Sequence, residues 1–403
     1  MRPPAGTGAT TVSILDQDRF ASLLDALRDD GFDVVGPTVV DGAIIHGPIT
    51  EVDDLPQGVG DRQGPGRYRL VDHGDDTWFA HAVGPSSAKR RLLPPRHPLW
   101  NARARNDASF AIEEAERERP RTAFVGLKPC EAAAIAVQDR VFLDGVVEDE
   151  VYAANRADVL LVVVECETPA ATCFCPSMGT GPGLELQGSD AHRAAGIADL
   201  VLTELTDPHR LLARAGTEAG VALLEGLAAP EATARDLRAR EQLLERSTER
   251  IHRHLDADGV HDLLLGNLEH PRWDDIAERC LACGNCTLVC PTCFCTTVED
   301  RTDLAGTSAS RERRWDSCFN LDFSHTGPSS VRSTTRARYR QWLTHKLATW
   351  IDQFDTSGCV GCGRCITWCP VGIDLTEEVA TIRRTSEDTG TDWPLVPSGL
   401  REG

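Results

Sequence analysis

Several things are scarce in this chain. Only three of its 42 basic residues are lysine, Lys89, Lys128 and Lys346. The rest is arginine, which fits coding bias in an Ala- and Arg-rich chain. With 62 acidic residues the formal net charge is −20, and a field of that sign argues against a nucleic-acid partner. The sequence has no G-x-G-x-x-G between a strand and a helix, no P-loop and no Ser/His/Asp signature. The nearest thing to a nucleotide loop is SMGTGPG (177–183), whose glycines are expected to turn tightly or pack around a cluster, with phosphate binding as the lesser alternative. The longest purely aliphatic run, Val159 to Val164, is far too short to span a bilayer. The opening MRPPAGTGATTVSILDQDRF lacks a charged stretch followed by an apolar run and a small-residue cleavage site, so a cytoplasmic protein with no membrane association is expected.

Cysteine is what the chain has in quantity. Fifteen thiols, an odd number, in a compartment that keeps them reduced point away from a disulfide framework and toward metal or redox chemistry. A length of 403 residues with 41% hydrophobic content is enough for two cores, with room for a third.

The fold class expected is α+β: an N-terminal mixed α/β domain (1–228), a helical connector (229–270) and a mainly helical ferredoxin-like domain (271–403). Phe20, Leu23, Leu24 and Leu27 recur at helical spacing before Gly31, giving a helix over 18–30. β-rich runs follow at 33–49, 67–72 and 77–83, and the proline-rich stretch 84–100 reads as an ordered loop. Two more strands end at cysteines: RTAFVGL leads into Lys128-Pro129-Cys130, and DVLLVVVE into Cys166. The crevice beyond strand ends in an open α/β sheet is a common place for a site. The stretch from Pro230 to Asp256 reads as a long charged helix.

Cys280, Cys283, Cys286 and Cys290 are spaced C-x2-C-x2-C-x3-C and followed by Pro291; Cys359, Cys362, Cys365 and Cys369 repeat the pattern before Pro370. In proteins with two [4Fe–4S] clusters, such a run gives three thiolates to one cluster and the fourth to the other. Crossed ligation is thus expected: Cys280, Cys283, Cys286 and Cys369 around one cluster, Cys359, Cys362, Cys365 and Cys290 around the second. Gly284 and Gly363 stand where the backbone must pass close to sulfur. Zinc fits less well, since it needs only four ligands and usually takes them as two C-x2-C pairs. The 68 residues between the runs look largely helical, as an insertion.

Of the other cysteines, Cys130, Cys166, Cys173 and Cys175 would meet at one sheet edge beside the glycine-rich SMGTGPG and can hold a third [4Fe–4S] cluster. The alternative is that Cys130 and Cys166 are small buried hydrophobes. Cys293, Cys295 and Cys318 follow the first run, where they can line the cluster, replace a ligand or join a site with a partner; a supporting role is expected.

CLACGNCTLVCPTCFC, WDSC (315–318), RYRQWLTHK (338–346) and GCVGCGRCITWCPVGID (358–374) together resemble the beta subunit of cytosolic sulfhydrogenases and the similar iron–sulfur subunit of anaerobic sulfite reductases. GLKPCEAAAIAVQDRVFLDG and CETPAATCFCPSMGTGPG look like N-terminal signatures of the same family. Two departures are Glu131, where the family has aspartate, and Gly327-Pro328-Ser329-Ser330, where it has Gly-Gly-x-Asn. The resemblance implies a non-catalytic iron–sulfur subunit. It would relay electrons between an NAD(P)H-binding flavin subunit and the small and large subunits of a NiFe hydrogenase, or act as the equivalent relay of a siroheme sulfite reductase. Rival classes are a flavin-dependent oxidoreductase in its own right and an iron–sulfur sensor that binds DNA; the charge and the missing helix-turn-helix pattern weigh against the sensor.

Overall fold

The computed structural model describes residues 11–105, 109–114, 120–186, 197–327 and 329–389. The first ten of the twenty residues read for a leader, together with Pro328, lie outside them. Among the described residues no helix is long and apolar enough to cross a membrane.

In chain order the strands are β1 (Val12–Leu15), β2 (Asp33–Val40), β3 (Ala43–Pro48), β4 (Val59–Gly64), β5 (Arg67–Asp72), β6 (Arg96–Ala104), β7 (Phe110–Glu114), β8 (Thr122–Leu127), β9 (Val159–Val164), β10 (Leu200–Thr206), β11 (His209–Ala215), β12 (Thr296–Thr302) and β13 (Ser308–Trp315). Seven of them form one mixed sheet in the order β1-β11-β10-β9-β8-β2-β3. The run β10-β9-β8-β2 is parallel. TAFVGL and VLLVVV, its two middle strands, are buried along their whole length, as a parallel strand covered on both faces must be. The expected helix near 18–30 is present as Gln17–Asp29 and buries Phe20, Leu23, Leu24 and Leu27 on the sheet. Because β8 and β9 are parallel neighbours, their C-terminal ends lie side by side, and the chain leaves them toward Cys130 and Cys166.

Three local expectations need correction. Residues 77–83 are buried but form no strand: the amides of Trp78 and Phe79 donate to the Glu204 carboxylate, at 2.6 and 2.9 Å, instead of to a neighbouring strand. The stretch 84–100 is not loop throughout. It holds a one-turn helix, Lys89–Leu92, and starts β6, whose Pro98 sits at a register shift, where a strand tolerates proline. The charged helix runs only from Ala234 to Glu249.

The insertion between the two cysteine runs is not largely helical either. It opens with the β12–β13 hairpin, and β13 pairs with β6 in a four-stranded sheet ordered β12-β13-β6-β7. Only then comes the aromatic helix Thr335–Thr344, continuing through a π turn, His345–Thr349, into Trp350–Phe354. Its Tyr339, Trp342, Leu343 and Leu347 form a core with Trp273, Ile366, Ile373 and Val379.

Candidate metal centres

The two cysteine runs fold alike. Each has a left-handed residue two places after its first cysteine, Ala282 (φ 52°) and Gly361 (φ 64°). The amides of these residues donate to the sulfurs of Cys280 and Cys359 at 3.4 and 3.5 Å. Each then has a left-handed glycine, Gly284 and Gly363, both at φ 74°, capping a one-turn helix, Asn285–Leu288 and Arg364–Thr367. The tight turn points successive thiols to one side.

The outer site is a small pocket lined by Cys280, Cys283, Cys286 and Cys369 with Phe319, Tyr339, Trp342 and Ile373; Cys365 also reaches its wall. The Ile373 amide donates to Cys369 Sγ at 3.3 Å. Cys369 thus comes from the second run into the pocket of the first. Cys283 is exposed and faces solvent.

The inner site mirrors it. Cys359, Cys362 and Cys290 are all buried there, and the charges of the three act on Cys365. Lys346, buried in the π turn, donates to Cys290 Sγ at 3.3 Å, to Thr292 Oγ1 at 3.3 Å and to the Gly358 carbonyl at 2.9 Å.

At the sheet edge, Cys130 starts the helix Pro129–Phe142 after β8, Cys166 follows β9, and the loop carrying Cys173 and Cys175 closes over them. Cys175 feels the charges of Cys173 and Cys166, and Cys130 that of Cys175; Cys130, Cys173 and Cys175 all feel Cys362 of the inner site. The loops abut directly. A Cβ on Gly361 would stand 2.6 Å from Cys175 Cα, and one on Gly363 2.4 Å from the Thr172 carbonyl. Phe174 N–H donates to the Gly361 carbonyl at 2.8 Å, and Thr180 Oγ1 to that of Val360 at 2.6 Å.

Burial pushes the Cys286, Cys365, Cys130 and Cys175 thiols well above their ordinary pKa, with neighbouring thiols adding to the shift. Such groups keep a proton at neutral pH unless a metal takes its place. Cys290 goes the other way: a hydrogen bond from the Cys293 thiol, joined by the charges of Lys346 and Lys89, holds it well below despite its burial. Among the described residues no three Cys, His, Asp or Glu side chains close around a point as a single ion requires; thiolates on one zinc stand only about 3.8 Å apart. Thiols set around a space suit a polynuclear cluster better.

Sequence reasoning missed the cations. All three lysines are buried against cysteine-bearing segments. Lys89 Nζ donates to the carbonyls of Cys290 (2.7 Å) and Cys293 (3.2 Å) and lies over the Trp315 ring. Lys128 Nζ donates to the Phe79 carbonyl at 2.9 Å, and its charge acts on Cys166. Lysine scarcity, read as coding bias, was the signal. Arg364, inside the second run, is 1% exposed; it binds the carbonyls of Gly84 and Ser86 and pairs with Glu131 at 2.6 Å. Glu131 also accepts from the Lys128 amide at 3.1 Å and faces His46 at 3.6 Å.

Residues 279–373 match the family model of a 4Fe-4S dicluster domain, a span that takes in all eight cysteines of the two runs. No solved structure matches the chain. Subunit beta of sulfhydrogenase 2 from Pyrococcus furiosus is 30% identical over 301 residues, which cover 73% of this chain and 84% of that one. With its repeated cysteine turn and dicluster domain, the chain belongs to the sulfhydrogenase beta-subunit family and is an iron–sulfur electron-transfer protein.

Proposed function

We propose that the chain relays single electrons between an NAD(P)H-linked flavin subunit and a NiFe hydrogenase in a cytoplasmic complex. Cys280, Cys283, Cys286 and Cys369 hold one [4Fe–4S] cluster, Cys359, Cys362, Cys365 and Cys290 a second, and Cys130, Cys166, Cys173 and Cys175 a third. When bound, such clusters accept and release one electron at a time.

The observation that carries this reading is the continuity of the thiol groups. Cys173 Sγ lies 3.9 Å from the Cys362 carbonyl, and Cys365 of the inner set also lines the outer pocket. Cys283 brings the line to the surface. The chain's own residues hold the thiols in order, exclude water from all but the outer end and offset buried negative charge through Lys346, Arg364 and Lys128. A hydrogenase partner is supported by the relative, which is named as a subunit of a sulfhydrogenase; the flavin and NiFe subunits are what the family resemblance implies.

The test is iron and acid-labile sulfide content, with EPR of the reduced protein, on the complex purified anaerobically through a tag on this chain. About twelve irons per chain is the expected result, and about eight would remove the sheet-edge cluster. Nickel in the same preparation supports the hydrogenase partner; siroheme without nickel overturns it.

A further inference from the structure

A buried donor without an acceptor is costly and rare in a folded chain. Two of them share the outer pocket. The helix Thr335–Thr344 carries Tyr339 and Trp342 three residues apart, and so on one face. Both line the pocket together with Cys280, Cys283, Cys286 and Cys369. Both are buried, at 3% and 4% exposed. Yet neither the Tyr339 hydroxyl nor the Trp342 indole N–H meets a hydrogen-bond partner among the described residues.

Packing fixes the two rings. Tyr339 and Trp342 meet edge to face with centroids 5.3 Å apart, and Phe319, also on the pocket wall, stands 6.3 and 6.2 Å from them. Trp273 lies 6.5 Å from Tyr339. The polar atoms therefore have little freedom to turn elsewhere. Glu378, an acceptor nearby, is itself taken up by Arg272 and Arg279 at 2.6 Å each. Burial and then the charges of Glu378, Cys286, Cys365 and Cys280 hold the Tyr339 hydroxyl protonated, and an indole N–H can only donate. Two donors thus border a space walled mostly by thiols and apolar carbon.

We infer that the Tyr339 O–H and the Trp342 N–H donate to sulfur atoms of the [4Fe–4S] cluster held by Cys280, Cys283, Cys286 and Cys369, and raise its reduction potential. Reduction adds negative charge to those sulfurs, so a donor favours the reduced state. The amides of Ala282 and Ile373 already serve Cys280 and Cys369 at 3.4 and 3.3 Å. The two side chains add to them without adding charge, whereas the inner site has the ammonium of Lys346 on Cys290. The inference rests on the iron–sulfur reading of the outer pocket.

The experiment is an EPR-monitored redox titration of the complex purified anaerobically through a tag on this chain, with iron counted on the same samples. It compares the parent with Tyr339→Phe and Trp342→Phe, each of which keeps an aromatic ring and removes one donor. At the poise where the parent's outer cluster is half reduced, each should lower the reduced-to-oxidised ratio about tenfold, a fall of about 59 mV for one electron. The inner signal should move far less. Phe319→Leu, which alters packing on the same wall and removes no donor, should leave the outer potential near that of the parent. If the smaller ring of Trp342→Phe costs iron, Trp342→benzothienylalanine, indole-sized with sulfur in place of N–H, makes the same comparison. Parent-like outer potentials in iron-replete variants refute the inference and leave the relay reading standing. An equal fall in Phe319→Leu refutes it too, since packing would then be the cause. Loss of about four irons per chain in Tyr339→Phe would make the hydroxyl a structural prop and also refute it. A parent complex without iron would defeat the iron–sulfur reading itself and the inference with it.

Discussion

The two cysteine runs have one backbone and two environments. In the first, Leu281 and Cys283 are exposed at the rim of the outer pocket, Leu288 is exposed too, and the residue after the glycine is the exposed Asn285. In the second, residues 356–364 are buried without a break, and the equivalent residue is the fully enclosed Arg364. Spacing fixes where the thiols point, while burial and nearby cations set how charge is tolerated there. A repeated motif in one chain can thus serve as a surface terminal in one copy and as an internal station in the other.

Arg364→Ala gives the largest expected effect, because it strands the buried Glu131 carboxylate. A loss of roughly 3–5 kcal/mol in unfolding free energy is expected, whereas Asn285→Ala at the matching position should stay within about 0.5 kcal/mol. Denaturant midpoints for both variants read the contrast, and equal effects would break it.

Gly363→Ala comes next. Its methyl would meet the Thr172 carbonyl at 2.4 Å, while that of Gly284→Ala would meet Ser317 Oγ at 3.1 Å. Both substitutions carry the left-handed penalty of roughly 1–2 kcal/mol, so Gly363→Ala should be the more damaging, visible as greater loss of iron on gel filtration.

Lys346→Met should lower the reduction potential of the inner site, which loses a buried ammonium bonded to Cys290 Sγ at 3.3 Å. A charged hydrogen bond of about 1.5–3 kcal/mol corresponds to a fall on the order of 100 mV for a one-electron couple. EPR-monitored titration should show the outer site moving far less.

The smallest effect is a gain. Ala282 holds φ 52° where the second run has Gly361, so Ala282→Gly should stabilise by about 0.5–1 kcal/mol, read from the thermal midpoint.

The cysteine spacing, the strands ending at Cys130 and Cys166 and the helix over Phe20–Leu27 were legible in the sequence because each is a local pattern. The β12–β13 hairpin was not. TTVEDRT and SASRERRW are half-buried or exposed along most of their length, so they show no apolar alternation, and β6, the partner of β13, lies far back in the sequence. Arg364 pairs with Glu131 and the glycine turns abut Thr172 and Cys175 across comparable distances. Composition showed that lysine was rare, and only the folded chain shows where the three ammonium groups are needed.

The sheet shared by β6 and β13 also has a consequence for biosynthesis. β6 ends at Ala104 and its partner is complete only at Trp315, about two hundred residues later. At a ribosome speed of roughly 5–20 residues per second, that edge waits about 10–40 s for its partner. For most of that interval β6, paired on its other side with β7, presents one open edge while neither cysteine run has been made, so that edge must be kept from wrong partners until the hairpin arrives.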